Sequence, residues 1–120
     1  MNKRRIGAEY EQIAANYLTE NGYQIVERNF RNRFGEIDII AKDAEYLVFV
    51  EVKFRGSQSC GTPVEAVDFR KQRIITKVAW YYLLTHGGNE WTPCRFDVLS
   101  IAGDTIRLYQ NAFEAYHKLR

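Results

Sequence analysis

Gly35-Glu36-Ile37-Asp38-Ile39-Ile40-Ala41, the polar tetrad Lys42-Asp43-Ala44-Glu45, and then Val48-Phe49-Val50-Glu51-Val52-Lys53-Phe54-Arg55 decide how this chain folds. Runs dominated by β-branched and aromatic residues on either side of a polar turn predict a hairpin. Side chains on a strand alternate between faces. Glu36 and Asp38 therefore share one face of the first strand, and Glu51, Lys53 and Arg55 share one face of the second. The opposite faces are apolar, as in strands covered on both sides. A buried carboxylate or ammonium is costly unless it is paired or bound to a metal, so three acids and a lysine in such strands need a reason.

The register supplies one. An even-numbered loop over the tetrad puts Ala41 opposite Tyr46, Asp38 opposite Phe49 and Glu36 opposite Glu51, with every charge on one side. Opposed residues share a face, and diagonal neighbours lie about 7–8 Å apart, within reach of convergent side chains holding one small ion. An odd loop scatters them, because a slip of one residue flips every side chain. Glu51-x-Lys53 alone also fits an ordinary ion pair on a wet sheet face, with Asp38 held by a nearby arginine. The Gly-Glu-Ile-Asp strand before it, the turn and the apolar flanks favour a catalytic reading.

Gly35-Glu36-Ile37-Asp38 followed by Phe49-Val50-Glu51-Val52-Lys53 resembles the active-site hairpin of the PD-(D/E)XK nucleases, and the chain from Gly7 to Phe113 resembles their small YraN-like bacterial branch. The family's proline before the first acid is Ile37 here. The resemblance implies a restriction-endonuclease-like core and a magnesium- or manganese-dependent endonuclease acting on DNA. It implies Asp38 and Glu51 as metal ligands, with Lys53 as the third catalytic residue. An acid on the first helix joins the metal site in related nucleases and Holliday junction resolvases, and Gly7-x-Glu9 occupies the matching place. Resolvases act as dimers, which allows a homodimer here. A basic Lys-Gln-Arg-like cluster of the family falls on Lys71 and Gln72, implying phosphate contacts.

With 120 residues and 46% apolar content, the chain is long enough for one domain spanning 1–120 and too short for two ordinary ones. A net charge of +2 does not by itself demand nucleic acid. Cys60 and Cys94 lack zinc spacing and read as free thiols. Glu9 and Glu11 interrupt any signal-like apolar run, no segment reads as a membrane span, and a cytoplasmic location is expected.

Taken in order, Ile6, Tyr10, Ile13, Ala14, Tyr17 and Leu18 predict a helix ending at Asn21-Gly22, with Glu9 roughly 80° from the centre of its stripe. Glu9 reads equally well as a surface residue serving the helix dipole. Tyr23 to Phe30 predicts a strand, and Arg31 and Arg33 sit at the turn that follows, placed to hold phosphates or to balance Glu36 and Asp38. Gly56–Gly61 reads as a loop and Thr62-Pro63-Val64-Glu65 as a helix start. Asp68 caps a longer helix ending near His86, whose inner stripe is Ile75, Val78, Ala79 and Tyr82. Lys71 lies on that stripe and needs an anionic partner, either phosphate at the metal site, shared with Gln72, or solvent reached by snorkelling.

Arg95–Ile101 and Thr105–Tyr109 predict a second hairpin, with Asp97 in an ion pair to Arg95 or a neighbour. Asn111 to Glu114 caps a last short helix carrying His117, Lys118 and Arg120 in its final turn. The expected architecture is α/β, a mixed sheet of about five strands flanked by helices. The function expected from these residues is DNA phosphodiester hydrolysis, with Arg33, Arg55, Lys71 and Gln72 on the substrate. The alternative is a nucleic-acid-binding module of the same fold that cleaves nothing, with Trp80, Tyr81 and Trp91 as stacking platforms.

Overall fold

Helix α1 (Lys3–Glu20) is followed by strands β1 (Gln24–Asn32), β2 (Gly35–Asp43) and β3 (Tyr46–Arg55). Helix α2 (Phe69–Thr85) leads to β4 (Cys94–Ala102) and β5 (Thr105–Phe113). The computed structural model describes the backbone of residues 3–55 and 67–115 and the side chains of residues 7–54 and 67–115. The strands form one sheet in sequence order, antiparallel throughout except for the parallel pair β3–β4 that α2 connects. This is the mixed five-stranded α/β sheet that the sequence predicts.

The helices cover opposite faces of the sheet. Ala14, Ala15 and Leu18 of α1 pack on Ile39, Ala41, Val48, Val50, Leu99 and Ile101. On the other side Ile75, Val78, Ala79 and Tyr82 of α2 pack on Ile37, Ile40, Phe49, Phe96 and Val98. Both strands of the central hairpin are thus buried on two faces, which explains their near-continuous apolar character. α1 stops where Gly22 takes φ +89° and the Tyr23 N–H caps the Leu18 carbonyl at 2.9 Å. α2 starts where Oδ1 of Asp68 accepts the Lys71 N–H at 2.8 Å. Gly35 lies flush on α2: a Cβ there would come 2.6 Å from Ile74 Cγ2, so a side chain would push turn and helix apart.

At the turn end of the central hairpin, Arg95 binds Asp97 through Nε at 2.9 Å and Asp43 through Nη2 at 2.9 Å. Asp97 is wholly buried and also accepts the Tyr23 hydroxyl at 2.7 Å and the Asn111 N–H at 2.9 Å. Burial pushes that hydroxyl up to about 12, and Gln110 donates to its oxygen. A buried acid with every lone pair engaged is structural. The Asp97–Arg95 pair is the one expected.

Three expectations change. The central hairpin turns through Ala44-Glu45 alone: Asp43 pairs with Tyr46 and Ala41 with Val48, a register two residues away from the one predicted. Ala44 adopts φ +54°, as the tight turns that match strand twist require, and Asp43 is held in the strand by Arg95. Because the shift is even, the paired residues Ile39 to Asp43 keep the faces expected, whereas the common face expected for Glu36 and Asp38 is broken before Ile39, where Ile37 turns to the α2 side.

Ile13, placed on the inner stripe of α1, is 41% exposed. The segment from Asn111 continues β5 instead of opening a helix, because Phe113 pairs with Phe96 and stacks on its ring at 4.9 Å. The proposed loop at 56–61, the helix start at Thr62 and the last-turn residues His117, Lys118 and Arg120 lie outside the described residues. None of the helices described is long and apolar enough to cross a membrane.

Candidate acidic site between the two helices

Strict alternation fails at one residue of β2. Ile39 and Ala41 face α1 and Ile40 faces α2, yet Ile37 also packs in the α2 cluster. β1 slips with it. Phe30 pairs with Ile37 against α2, whereas Arg28, opposite Ile39, donates to Gln12 of α1 at 2.9 Å. Between them Asn29 takes φ +54°. On the other side the β2–β3 ladder ends at Ile39–Val50, and the Val52 N–H donates instead to Oδ2 of Asp38 at 2.8 Å. Asp38 therefore stands in a split between β2 and β3, level with Glu51 if the register is continued.

Glu51 is the acid that the fold buries there, at 7% exposure. Its carboxyl is pushed up to about 9, first by burial, then by a hydrogen bond to Asp38 and by the Asp38 charge, with Lys71 and Lys53 opposing. Two carboxyl groups can share a hydrogen bond only with a proton between them. Lys71 Nζ reaches Glu51 Oε2 at 3.4 Å. That separation is a charge contact without hydrogen-bond geometry, so the buried Oε2 faces a cation and still has no hydrogen-bond partner.

Towards α1 a cleft of about 150 Å³ opens between Gly7, Tyr10, Glu11, Asp38, Val52 and Phe54, with Tyr10 and Phe54 stacked at 4.1 Å. Glu11 looks into it. Its buried Oε1 has no hydrogen-bond partner, and its carboxyl is raised by burial and by the charge of Asp38. Glu9, the helix acid singled out from sequence, is exposed. The signal for Glu11 was available: it lies three, four and seven residues before Ala14, Ala15 and Leu18, which are buried. Exposed Ile13 had drawn the inferred stripe towards the wrong flank.

The structure thus brings Asp38, Glu51, Lys53 and Lys71 together and adds Glu11. Lys53 is half-buried and counters the charge of Glu51. Gln72 is buried and donates to the Val67 carbonyl at 2.8 Å, a bond that ties α2 to the segment before it. Arg33 is exposed at the β1–β2 turn with its guanidinium 4.9 Å from the Phe34 ring, on the side of α2. Arg31 pairs with Glu36 at 2.7 Å on the surface. The Arg55 side chain lies outside the described residues.

Among the described residues no group of three or more acidic, histidine or cysteine side chains forms a ready-made metal cage. The donor set nevertheless suits magnesium or manganese, which take one or two carboxylates and complete their shell with water and substrate oxygen. An orphaned buried carboxylate oxygen beside a second acid is the local observation in favour of that fit.

Residues 10–101 match the family model described as "Uncharacterised protein family UPF0102". Curated relatives carry the same name. A UPF0102 protein of Lachnoclostridium phytofermentans is 55% identical, over 97% of this chain and 98% of its own length. One of Symbiobacterium thermophilum is 50% identical, over 93% and 98%. One of Persephonella marina is 47% identical, over 90% and 92%.

Proposed function

The chain belongs to the UPF0102 family, and we propose that it is a divalent-metal-dependent endonuclease acting on DNA phosphodiesters. The observation that carries this reading is the buried Glu51 Oε2, without a hydrogen-bond partner, beside Asp38. Such a pair costs stability in the free protein, and an ion that takes both carboxylates removes the cost. Asp38 and Glu51 would hold magnesium or manganese, and Glu11, which lines the same cleft as Asp38 and feels its charge, would support them. Held there, such an ion would neutralise phosphate charge and make a bound water a stronger acid.

The remaining work falls to the chain itself. The Val52 N–H fixes the orientation of Asp38. Lys53, on the strand face of Glu51, holds or gives up a proton at Nζ, or offsets negative charge developing at the phosphate. Lys71, at the first turn of α2, neutralises Glu51 and is free by its exposure to bind a phosphate next to the one cleaved. Exposed Arg33 at the β1–β2 turn adds a further cation.

The test is a panel of duplex, single-stranded, flap and branched DNA with magnesium, manganese or chelator. Metal-stimulated cleavage that Glu51→Gln abolishes supports the reading. Absence of cleavage on every form, with manganese shown by calorimetry not to bind, rules it out. A binding module that cleaves nothing is the second reading. The observation on its side is that among the described residues no cage of three or more such side chains is preformed.

A further inference from the structure

We infer that the cleft between the β1–β2 turn and the outer side of α2 seats one unpaired base of the strand whose phosphates reach the acid pair. The inference deepens the proposed function and rests on it. Phe34 and Tyr81 stack with ring centroids 4.5 Å apart and planes at 28°. Tyr81 is 37% exposed, so part of its ring is open to solvent. Lys77 Nζ and Arg33 Cζ lie 4.5 and 4.9 Å from the centre of the Phe34 ring. Phe30, Asn32, Arg33, Phe34, Tyr81 and Thr85 line a cleft of about 360 Å³, none of them acidic. That volume lies within the range of roughly 300–1,000 Å³ typical of small-ligand sites.

The chemistry of this lining selects its occupant. Cations alone suit any anion, and aromatic rings alone suit any apolar group. A part-exposed tyrosine ring backed by a phenylalanine and flanked by cations, with no acid in the lining, suits a flat π-system on an anionic chain, which is an unpaired nucleotide. The platform is braced: Oδ1 of Asn32 accepts the Phe34 N–H at 2.9 Å, and Gly35 seats the turn directly on Ile74 and Val78. Lys71, which touches Glu51, and Tyr81 lie ten residues apart on the same helix, so a strand that reaches both runs along α2 and about 80° around it.

Fluorescence anisotropy on the full chain in chelator tests this, with end-labelled oligothymidine, an abasic phosphodiester chain of the same length, and duplex. Oligothymidine should bind about 5- to 150-fold tighter than the abasic chain. Tyr81→Ala and Phe34→Leu should remove that difference while binding to the abasic chain stays the same, and Tyr81→Phe should keep it. Equal affinity of the unmodified protein for oligothymidine and the abasic chain overturns the inference. So does a difference that survives in folded Tyr81→Ala and Phe34→Leu. Cleavage with magnesium, scored separately, tells the two ideas apart. Cleavage without base dependence removes the cleft and keeps the nuclease reading. Base-dependent binding without cleavage of any DNA form keeps the cleft and removes the nuclease reading.

Discussion

The Val52 amide donates to the Asp38 carboxylate at 2.8 Å, in the place where continued pairing would bring Val52 opposite Ile37. One side chain thus closes the gap that β2 leaves when it parts from β3. This gives Asp38 a structural duty beside any chemical one. Asp38→Asn keeps an acceptor for Val52 and should hold its denaturation midpoint, whereas Asp38→Ala should lose about 1–3 kcal/mol, the usual cost of an orphaned buried donor. Both should abolish metal-stimulated cleavage. Urea titration with cleavage measured in parallel checks the split, and equal stability of the two variants would show that water satisfies the amide.

Glu51 should make stability depend on pH. Its carboxyl is pushed from the ordinary 4.5 up to about 9 in the folded chain, chiefly by burial. Between those values the folded state keeps a proton that the unfolded state releases. Stability from this group is therefore full below the lower value and declines as pH rises towards the upper one. In chelator, melting temperature should fall across that window, as the unfolding free energy declines by no more than about 1.4 kcal/mol per pH unit. Glu51→Gln should flatten the fall, and manganese should offset it, since the metal binds the deprotonated acid. A melting temperature that rises with pH in chelator would contradict the burial argument.

Glu11 and Glu9 offer a matched comparison on one helix. Glu11→Gln should weaken manganese binding by about 10- to 100-fold, the usual effect of losing a group that supports a ligand. Glu9→Gln should change it little. Calorimetric titration of both variants decides, and the reverse order would return the role to Glu9.

The two lysines should separate ligand from substrate effects. Lys53→Ala should lose most turnover with manganese affinity the same or higher, because a cation has been removed from beside the ion. Lys71→Ala should weaken DNA binding alike across sequences and lower the salt slope by about 1. Should Lys53→Ala instead lose stability and keep its specific activity, Lys53 is only the structural partner of Glu51.

The layout of the sheet was legible because burial on two faces leaves long apolar runs, and helices announce themselves by period and cap, as Asp68 does. The acid pair was legible for a more particular reason. Parity survives an error of two residues, so Asp38 and Glu51 fall together whether the turn holds four residues or two. Three features escaped for lack of a local signal. Arg95, far along the chain, holds Asp43 in the strand; Phe96 draws Asn111 to Phe113 into β5; and the slip at Asp38 depends on Asn29 in the neighbouring strand. The Glu11 position was readable from Ala14, Ala15 and Leu18, but exposed Ile13 obscured it.

Helix α2 has one consequence for the products of any reaction. From Lys71 to Tyr81 it is a single uninterrupted rod, and at about 1.5 Å per residue it sets the two side chains about 15 Å apart along its axis. A rod of fixed length works as a ruler: were its far mark at a seated base and its near mark at the acids, cleavage would fall a constant number of nucleotides from that base. On a sequencing gel the product would step by one nucleotide each time the unpaired end is moved by one, whatever the sequence between.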